Sequence, residues 1–361
     1  MKKVLVWLCL VGLVLALTVC QQPTSPANEA ASEVDAGART SEMINLIVES
    51  RATGDFTELE AMLAEDDSEG ELRQILADQG VFSAATPKQV NLLPLPSFTP
   101  EDYANGDVLV SRGSGGLTST LMALILSQGY GHAGILNLDL AASGACILSA
   151  DVDYLTGERE AAVNYETYSD WRTSNDIITV LGYEGPGSPE GIGQAIADLY
   201  GSAPGTIYAF LGYPGASVGA FEPIEKGDEK YWYCSKVPWR VYNALPPAGT
   251  IDIEASGFYG QLAYDGGPQR WELFKNSVMY KIYLFYLKLQ HPWWPLRWIV
   301  ARADNGLWYA GDSILKELVS PDELRASPLL SRRFTVDALH SGPYHGDDAP
   351  VVGWIPGTYE P

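Results

Sequence analysis

The chain of 361 residues is long enough for one large domain or two small ones. Apolar residues make up 46% of it and charged residues 19%, which excludes global disorder. The net charge of −22, from 45 acidic and 23 basic residues, excludes nonspecific binding to nucleic acid, which requires a basic surface. The same charge argues against a general attraction to anionic lipid headgroups.

The first twenty residues, MKKVLVWLCLVGLVLALTVC, have the pattern of an export signal. Lys2 and Lys3 form a basic start, and residues 4–19 form an apolar run that is short for a membrane-spanning helix. The final LTVC resembles the lipobox of bacterial lipoproteins, in which the cysteine is acylated and becomes the new N-terminus. The resemblance implies a lipid on Cys20, and the alternative is an uncleaved membrane anchor. In either case we expect the body of the protein to be extracytoplasmic and held at a membrane.

The next two segments are predicted to be a tether and a helical region. Residues 21–40 are small, polar and proline-containing, which is typical of a flexible tether. Residues 41–95 are acidic and place apolar side chains at helical spacings, as at Ile44, Ile47 and Val48. We interpret this segment as a solvated helical spacer, with a partner-binding arm as the alternative.

Strands and helices alternate irregularly in residues 96–335. Strands are predicted at 106–110, 133–138, 145–152 and 176–182, and helices at 117–128, 189–200 and 234–245. Without the regular spacing of βαβ units, this mixture favours the α+β class over a doubly wound sheet. Residues 336–361 are interpreted as a C-terminal extension.

Residues 270–310 are unusually aromatic and contain VMYKIYLFYLKLQ followed by HPWWPLRWIV. Lysines and prolines interrupt the stretch too often for it to span a bilayer. We predict a helix packed on the core followed by an aromatic loop. The alternative is an aromatic lip that touches lipid or a glycan, because Trp and Tyr favour boundaries between water and apolar surfaces.

Two of the four cysteines remain once the export signal is processed and Cys20 is acylated. Cys146 and Cys234 could form one disulfide, or one could be inert and the other reactive. Cys146 lies inside a predicted apolar strand, where a buried, inert thiol is expected. Cys234 lies at a predicted helix start, so we expect the two cysteines not to be bonded to each other.

Cys234 and His132 form a candidate nucleophile and base. A helix N-terminus offers partial positive charge to a thiolate and N–H groups to an oxyanion. His132 opens a predicted strand and lies close to two glycines, Gly131 and Gly134. A single histidine beside a strand is usually structural, but a cysteine in the favoured helix position makes the pair chemically meaningful.

Three segments together resemble the YiiX-like group of circularly permuted papain-like cysteine hydrolases, within the NlpC-type superfamily. They are GDVLV, SQGYGHAGILN and, about a hundred residues later, YWYCSKVPWRVYNA. The later VSPDEL and ASP also resemble the closing motif of such domains, so the resemblance covers roughly residues 100–330. It implies a permuted papain-like fold, an antiparallel sheet with packed helices, in which the histidine precedes the cysteine.

The resemblance also implies roles for individual residues. Cys234 corresponds to the nucleophile and His132 to the general base. The family's orienting group is usually a Glu on the strand after the histidine, and Ser149 occupies that place here. Because alternate residues of a strand share a face, Asp151 lies one step along on the same side. We expect Asp151 to orient His132, with Ser149 as the second choice.

The expected function is therefore a lipid-anchored, extracytoplasmic cysteine hydrolase or acyl transferase. The resemblance implies amide or ester bonds of cell-envelope peptides or lipids as substrates, with no cofactor or metal. Tyr208 is expected to be a core residue, with donation to an oxyanion as the alternative. The rival interpretation is an envelope-binding lipoprotein that has kept the fold without catalysis, suggested by Ser149 in place of the family's Glu.

Overall fold

The computed structural model describes residues 26–82, 103–112, 130–175, 177–186, 189–209, 224–255, 275–317, 319–337 and 343–345. Its centre is a seven-stranded sheet in which every neighbouring pair is antiparallel. The spatial order is β4-β3-β2-β1-β5-β8-β9. The strands are β1 (Val108–Arg112), β2 (His132–Leu136), β3 (Ala145–Ala150), β4 (Val163–Thr167), β5 (Ile177–Tyr183), β8 (Leu330–Asp337) and β9 (Pro343–His345). The prediction of an α+β fold is confirmed.

A second, two-stranded sheet pairs β6 (Ile207–Tyr208) in parallel with β7 (Tyr231–Trp232). The described helices are α1 (Pro26–Thr53), α2 (Thr57–Asp66), α3 (Glu71–Asp78), α4 (Asp153–Thr156), α5 (Tyr168–Ser174), α6 (Ile192–Gly201), α7 (Lys236–Ala244), α8 (Val278–Gln290), α9 (Leu296–Glu317) and α10 (Pro321–Arg325). Within this described part, no helix combines the length and apolarity needed to cross a membrane.

The N-terminal helices are part of the folded body. The flexible tether predicted for residues 21–40 is helical from Pro26, and α1 continues through residue 40 without a break. Met43, Ile44 and Ile47 are fully buried in the same apolar core as the side chains of α8. The interpretation of this segment as a solvated spacer is therefore wrong, because its apolar stripe packs against α8 instead of facing water.

Most predicted strands appear within two residues of their expected bounds, but three differences matter. The helix predicted from Cys234 begins at Lys236, so the cysteine lies in the turn before α7. Strand β4 was not predicted. Strand β8 crosses the boundary expected at residue 335 and pairs with β9, so the sheet extends into the predicted C-terminal extension. The helix predicted at 117–128 lies outside the described residues.

The GDVLV turn fastens the sheet to the helices on one face. Gly106 has a φ of 86°, and a Cβ at this position would collide with Ile192 of α6. The hydroxyl of Tyr242 in α7 donates a 2.8 Å hydrogen bond to the carbonyl oxygen of Gly106. This bond ties α7, which begins two residues after Cys234, to the turn before β1.

Candidate active site

The strand register aligns three polar side chains on one face of the sheet. Gly134 of β2 pairs with Ser149 of β3, and Ile147 of β3 pairs with Glu166 of β4. Because alternate residues share a face, His132, Ser149 and Glu166 all lie on the same side. The side chains of all three are buried.

The contacts of Nε2 of His132 determine which ring nitrogen carries the proton. Ser149 Oγ donates its proton to the carbonyl oxygen of Ala133 over 2.7 Å, so at 3.3 Å from Nε2 it acts as an acceptor. Glu166 Oε2, a second acceptor, lies 3.5 Å from the same nitrogen. In the neutral imidazole, two acceptors place the proton on Nε2 and leave the lone pair on Nδ1. That Nδ1 atom is buried and makes no hydrogen bond of standard geometry within the described residues.

Cys234 is a further neighbour of the imidazole. Its side chain is buried, and its thiol interacts with His132. Burial alone would lower the pKa of His132, but the Glu166 carboxylate and the Cys234 thiol outweigh it and raise that pKa well above its ordinary value. Since Nε2 faces the acceptors, Nδ1 is the nitrogen that carries the lone pair of the neutral ring.

Buried contacts on both sides of Cys234 fix the turn that carries it. Ser235 Oγ donates a 2.6 Å hydrogen bond to the carbonyl oxygen of Val319, and the N–H of Val319 donates to the Tyr233 hydroxyl over 3.1 Å. The Lys236 ammonium donates to the carbonyl oxygens of Glu225, Asp228 and Tyr231. The VSPDEL segment thus packs directly against the turn, and Ser320 and Glu323 form a capping box at the start of α10.

Trp171 of α5 covers the imidazole from one side. Its ring centroid lies 4.8 Å from that of His132, with the two planes tilted by 35°. This approach requires a glycine on β2, because a Cβ on Gly134 would lie 2.6 Å from Ile147 and 3.0 Å from the Trp171 ring. The glycine noted in the sequence after His132 therefore admits a tryptophan that confines the base.

Asp151 and Arg159 complete the charged surroundings of the site. Ligand atoms of His132, Asp151 and Glu166 all lie within 4.8 Å of one another. Asp151 Oδ1 accepts the N–H of Val152 over 2.5 Å. Arg159 lies 3.6 Å from Glu166 Oε1 and 3.5 Å from Asp153 Oδ2, and so holds the far oxygen of Glu166 by an ion pair.

The same three groups have the ligand types that a divalent cation such as Zn²⁺ accepts. Two features oppose a metal here. The Arg159 guanidinium already pairs with Glu166, and coordination through Nε2 would require the loss of the proton that Ser149 and Glu166 hold there. The arrangement suits a hydrogen-bonded base better than a metal ligand.

Tyr208 lies close enough to Cys234 and Asp151 to be affected by their charges. Burial first, and then Cys234 and Asp151, raise the pKa of Tyr208 well above its ordinary value, so that the phenol keeps its proton at neutral pH. Tyr208 pairs in the two-stranded sheet with Trp232, and Trp232 lies two residues before Cys234 in the chain. Tyr208 is buried as expected, and it is also a neutral donor beside the thiol.

The structure brings the four predicted site residues, Cys234, His132, Ser149 and Asp151, into one cluster. Ser149 and Glu166 both contact Nε2 of His132, at 3.3 Å and 3.5 Å. Sequence reasoning missed Glu166 because it missed β4. Alternation in VNYET, with Val163 and Tyr165 on one face and Glu166 on the other, was the signal available. Cys146 and Cys234 are both free thiols, as expected, and Cys20 lies outside the described residues.

Comparisons with known proteins give little beyond this geometry. No protein-family model matches the chain, and no curated protein matches it. Among solved structures, the chain is similar to the crystal structure of metalloprotein YiiX from Escherichia coli O157:H7, at 17% identity and a TM-score of 0.33. That similarity covers 64% of this chain and 96% of the other.

Proposed function

We propose that this protein is a lipid-anchored, extracytoplasmic cysteine hydrolase or acyl transferase with a permuted papain-like domain of the NlpC type. The observation that carries the proposal is the pair of contacts that Ser149 and Glu166 make with Nε2 of His132. Ser149 and Glu166 occupy Nε2 as acceptors, which leaves Nδ1 as a base for Cys234. A nucleophile, a base and a carboxylate that orients the base are the three parts that thiol catalysis requires.

The proposed reaction begins with transfer of the Cys234 proton to Nδ1 of His132. The thiolate attacks the carbonyl carbon of an amide or ester, and the carbonyl electrons move to oxygen. When the tetrahedral intermediate collapses, the bond to the leaving amine or alcohol breaks and that group takes the proton from Nδ1. Water, or an acceptor amine or alcohol, then attacks the thioester, with His132 again removing the proton. The C–S bond breaks, the acid or the transferred acyl product leaves, and the Cys234 thiolate recovers the proton from His132.

Two nearby features support stabilisation of the oxyanion. Cys234 precedes α7 by one residue, Ser235, so the positive end of that helix dipole points toward the turn. The Tyr208 phenol is a protonated donor in the same surroundings. Glu166 stabilises the imidazolium that forms on proton transfer, and Arg159 holds the far oxygen of that carboxylate.

The location and substrate class come from the sequence. The export signal and the LTVC motif support acylation at Cys20, which would place the domain at a bacterial membrane facing the envelope. Cell-envelope peptides or lipid amides and esters are the corresponding substrates. The alternative is a non-catalytic envelope-binding lipoprotein. Ser149 in place of the family's Glu suggests this alternative. Glu166 supplies a carboxylate beside His132 and so weakens the argument for it.

Trapping of an acyl-enzyme tests the proposal. The purified protein is incubated with a p-nitrophenyl acyl ester, quenched in acid and digested, and the Cys234 peptide is weighed by mass spectrometry. We expect the acyl mass on Cys234 and its release by hydroxylamine. Cys146→Ala is the matched control and should form the adduct normally.

Two outcomes would contradict the proposal. An unchanged rate of ester cleavage in Cys234→Ala would exclude the thiol mechanism, and the absence of any adduct would favour the binding-protein alternative. Activity that a chelator abolishes and Zn²⁺ restores would assign the cluster of His132, Asp151 and Glu166 to a metal instead.

A further inference from the structure

Exposed apolar side chains are concentrated in one short stretch that runs from the end of α8 into the first turn of α9. Within the described residues, four of the five exposed large hydrophobic side chains lie there. Trp293 is the extreme case, with 93% of its surface exposed. We call these four residues the tryptophan ridge: Leu289, Trp293, Leu296 and Trp298.

The turn that presents the ridge is well anchored. The neighbouring Trp294 stacks on His291 with ring centroids 4.0 Å apart, and its N–H donates to the carbonyl oxygen of His291 over 3.0 Å. Trp294 also packs against the main apolar core, as does the buried Ile299. Because Trp294 and Ile299 hold the turn against the core, Trp293 projects into solvent from an anchored backbone.

The local charge differs from that of the chain as a whole. Residues 288–303 contain Lys288, Arg297, Arg302 and His291 but no acidic residue, although the whole chain has 45 acidic and 23 basic residues. Lys288 is paired with Glu71, whereas Arg297 lies exposed within the ridge. Exposed tryptophans with a flanking arginine are typical of surfaces that sit at a membrane–water interface.

Contacts between α1 and α8 show which end of the molecule carries the ridge. Asp66 accepts a 2.9 Å hydrogen bond from the guanidinium of Arg39 in α1 and a 2.8 Å hydrogen bond from the hydroxyl of Tyr286 in α8. Arg39 and Tyr286 therefore lie at the same level along the two helices. Further along α1, Arg51 donates to the carbonyl oxygen of Gly80 over 2.7 Å, close to the end of α3.

Lys288, near the end of α8, pairs with Glu71 at the start of α3, so the end of α3 that carries Asp78 faces the beginning of α8. The charge of Asp78 acts there on Lys281. Helices α1 and α8 therefore run antiparallel. The N-terminus of α1 lies beyond the C-terminus of α8, at the same end as the ridge. At 1.5 Å per residue, Pro26 is about 20 Å further along α1 than Arg39.

The proposed lipid is attached close to this end. Only five residues, 21–25, separate Cys20 from the start of α1 at Pro26, and the six steps from Cys20 to Pro26 reach at most about 20 Å. An acylated Cys20 would therefore hold the N-terminal end of α1 near the bilayer surface. The ridge would face the same surface.

We propose that the tryptophan ridge inserts into the interface of the bilayer that holds the Cys20 lipid, and so fixes the orientation of the domain on the membrane. The inference rests on the lipid anchor of the proposed function and does not depend on catalysis. Two attachment points, one lipid and one aromatic, also bind a membrane more firmly than either alone.

Tryptophan quenching by brominated lipid tests the ridge. The full-length acylated protein is reconstituted into phosphatidylcholine vesicles with and without dibrominated acyl chains. We expect the double variant Trp293→Ser/Trp298→Ser to lose at least half of the quenching that the wild type shows. Tyr200→Ser removes the one exposed large aromatic side chain outside the ridge in the described residues, and it should leave the quenching unchanged.

Flotation with the vesicles and the mass of Cys20 separate the two claims. If the protein is acylated and floats, but the double variant is quenched as strongly as the wild type, the ridge proposal is wrong while the anchor stands. Ridge-dependent quenching of a chain with an unmodified Cys20 would support the ridge and overturn the anchor. Concentration-dependent dimerisation that the double substitution abolishes, without quenching, would assign the ridge to a second copy of the chain.

Discussion

Glu166 Oε2 lies 3.5 Å from His132 Nε2, although β3 separates the strands that carry these two residues. The carboxylate reaches across β3 because the residue between them is Ser149, whose small side chain leaves room and faces the same nitrogen. The family that the sequence resembles usually carries a Glu at the position of Ser149. Here the carboxylate comes from the next strand, and a hydroxyl takes the nearer position.

The first prediction distinguishes Glu166 from Asp151 as the group that orients His132. Glu166→Gln should lower the turnover of an acyl ester by about 10²-fold or more. The imidazolium loses its counter-ion, and the neutral imidazole loses an acceptor that favours the proton on Nε2. Asp151→Asn, the matched variant, should cost less than about 10-fold. The reverse order of the two losses would restore Asp151 to the role first expected from the sequence.

A second prediction follows from the position of the carboxylate on β4. If a carboxylate on either strand can orient His132, Ser149→Glu should recover part of the activity lost in Glu166→Ala. The double variant should be at least about 10-fold more active than Glu166→Ala alone, a difference near 1.4 kcal/mol in activation free energy. Initial rates on the same ester measure this. A double variant no better than Glu166→Ala would show that the strand, and not the carboxylate alone, is required.

Gly134 should be intolerant of a side chain. Gly134→Ala places a Cβ 2.6 Å from Ile147 and 3.0 Å from Trp171, so Trp171 must move away from His132. We expect a loss of about 1–3 kcal/mol in the free energy of unfolding and slower reaction of Cys234. Gly201→Ala, at the end of α6 with open space around its Cβ, is the control and should be neutral or stabilising in urea unfolding. Equal losses in both variants would contradict the packing argument.

Glu323 should make the fold less stable as the pH rises. Burial, and then the nearby Glu254, raise the pKa of Glu323 from 4.5 to about 8, against the opposing effect of the hydrogen bond from Ser320. Between those two values the folded chain keeps a proton that the unfolded chain has lost. The free energy of unfolding therefore falls from about pH 5 to about pH 8.

Glu323→Gln keeps an acceptor for the N–H of Ser320 and removes the ionisation. Relative to the wild type, it should gain stability as the pH rises from 5 to 9, by up to about 4 kcal/mol, since a tenfold change in proton affinity is about 1.4 kcal/mol. Urea unfolding at each pH measures the difference. The exposed Glu229→Gln should show no such trend. A constant difference between Glu323→Gln and the wild type across the range would contradict the buried, protonated carboxyl.

Sequence reasoning reached the parts of the site that local patterns encode. His132 at a strand start and Cys234 before a helix could be predicted because each lies in a short motif with its own chemistry. Glu166 could not, because its place depends on the register of β4 against β3, which includes a bulge between Ala145 and Ile147. The helices before residue 80 were predicted as helices, but their burial depends on α8, which follows about two hundred residues later.

The most direct test of the central claim is the rate at which iodoacetamide alkylates Cys234 at neutral pH, followed by peptide mass spectrometry, with Cys146 as the internal reference. Burial raises the pKa of the Cys146 thiol, so that cysteine should react slowly. We predict that Cys234 reacts at least about 10-fold faster than Cys146, and that His132→Ala abolishes the difference. Equal rates for the two thiols, or a fast Cys234 in His132→Ala, would contradict a nucleophile activated by His132.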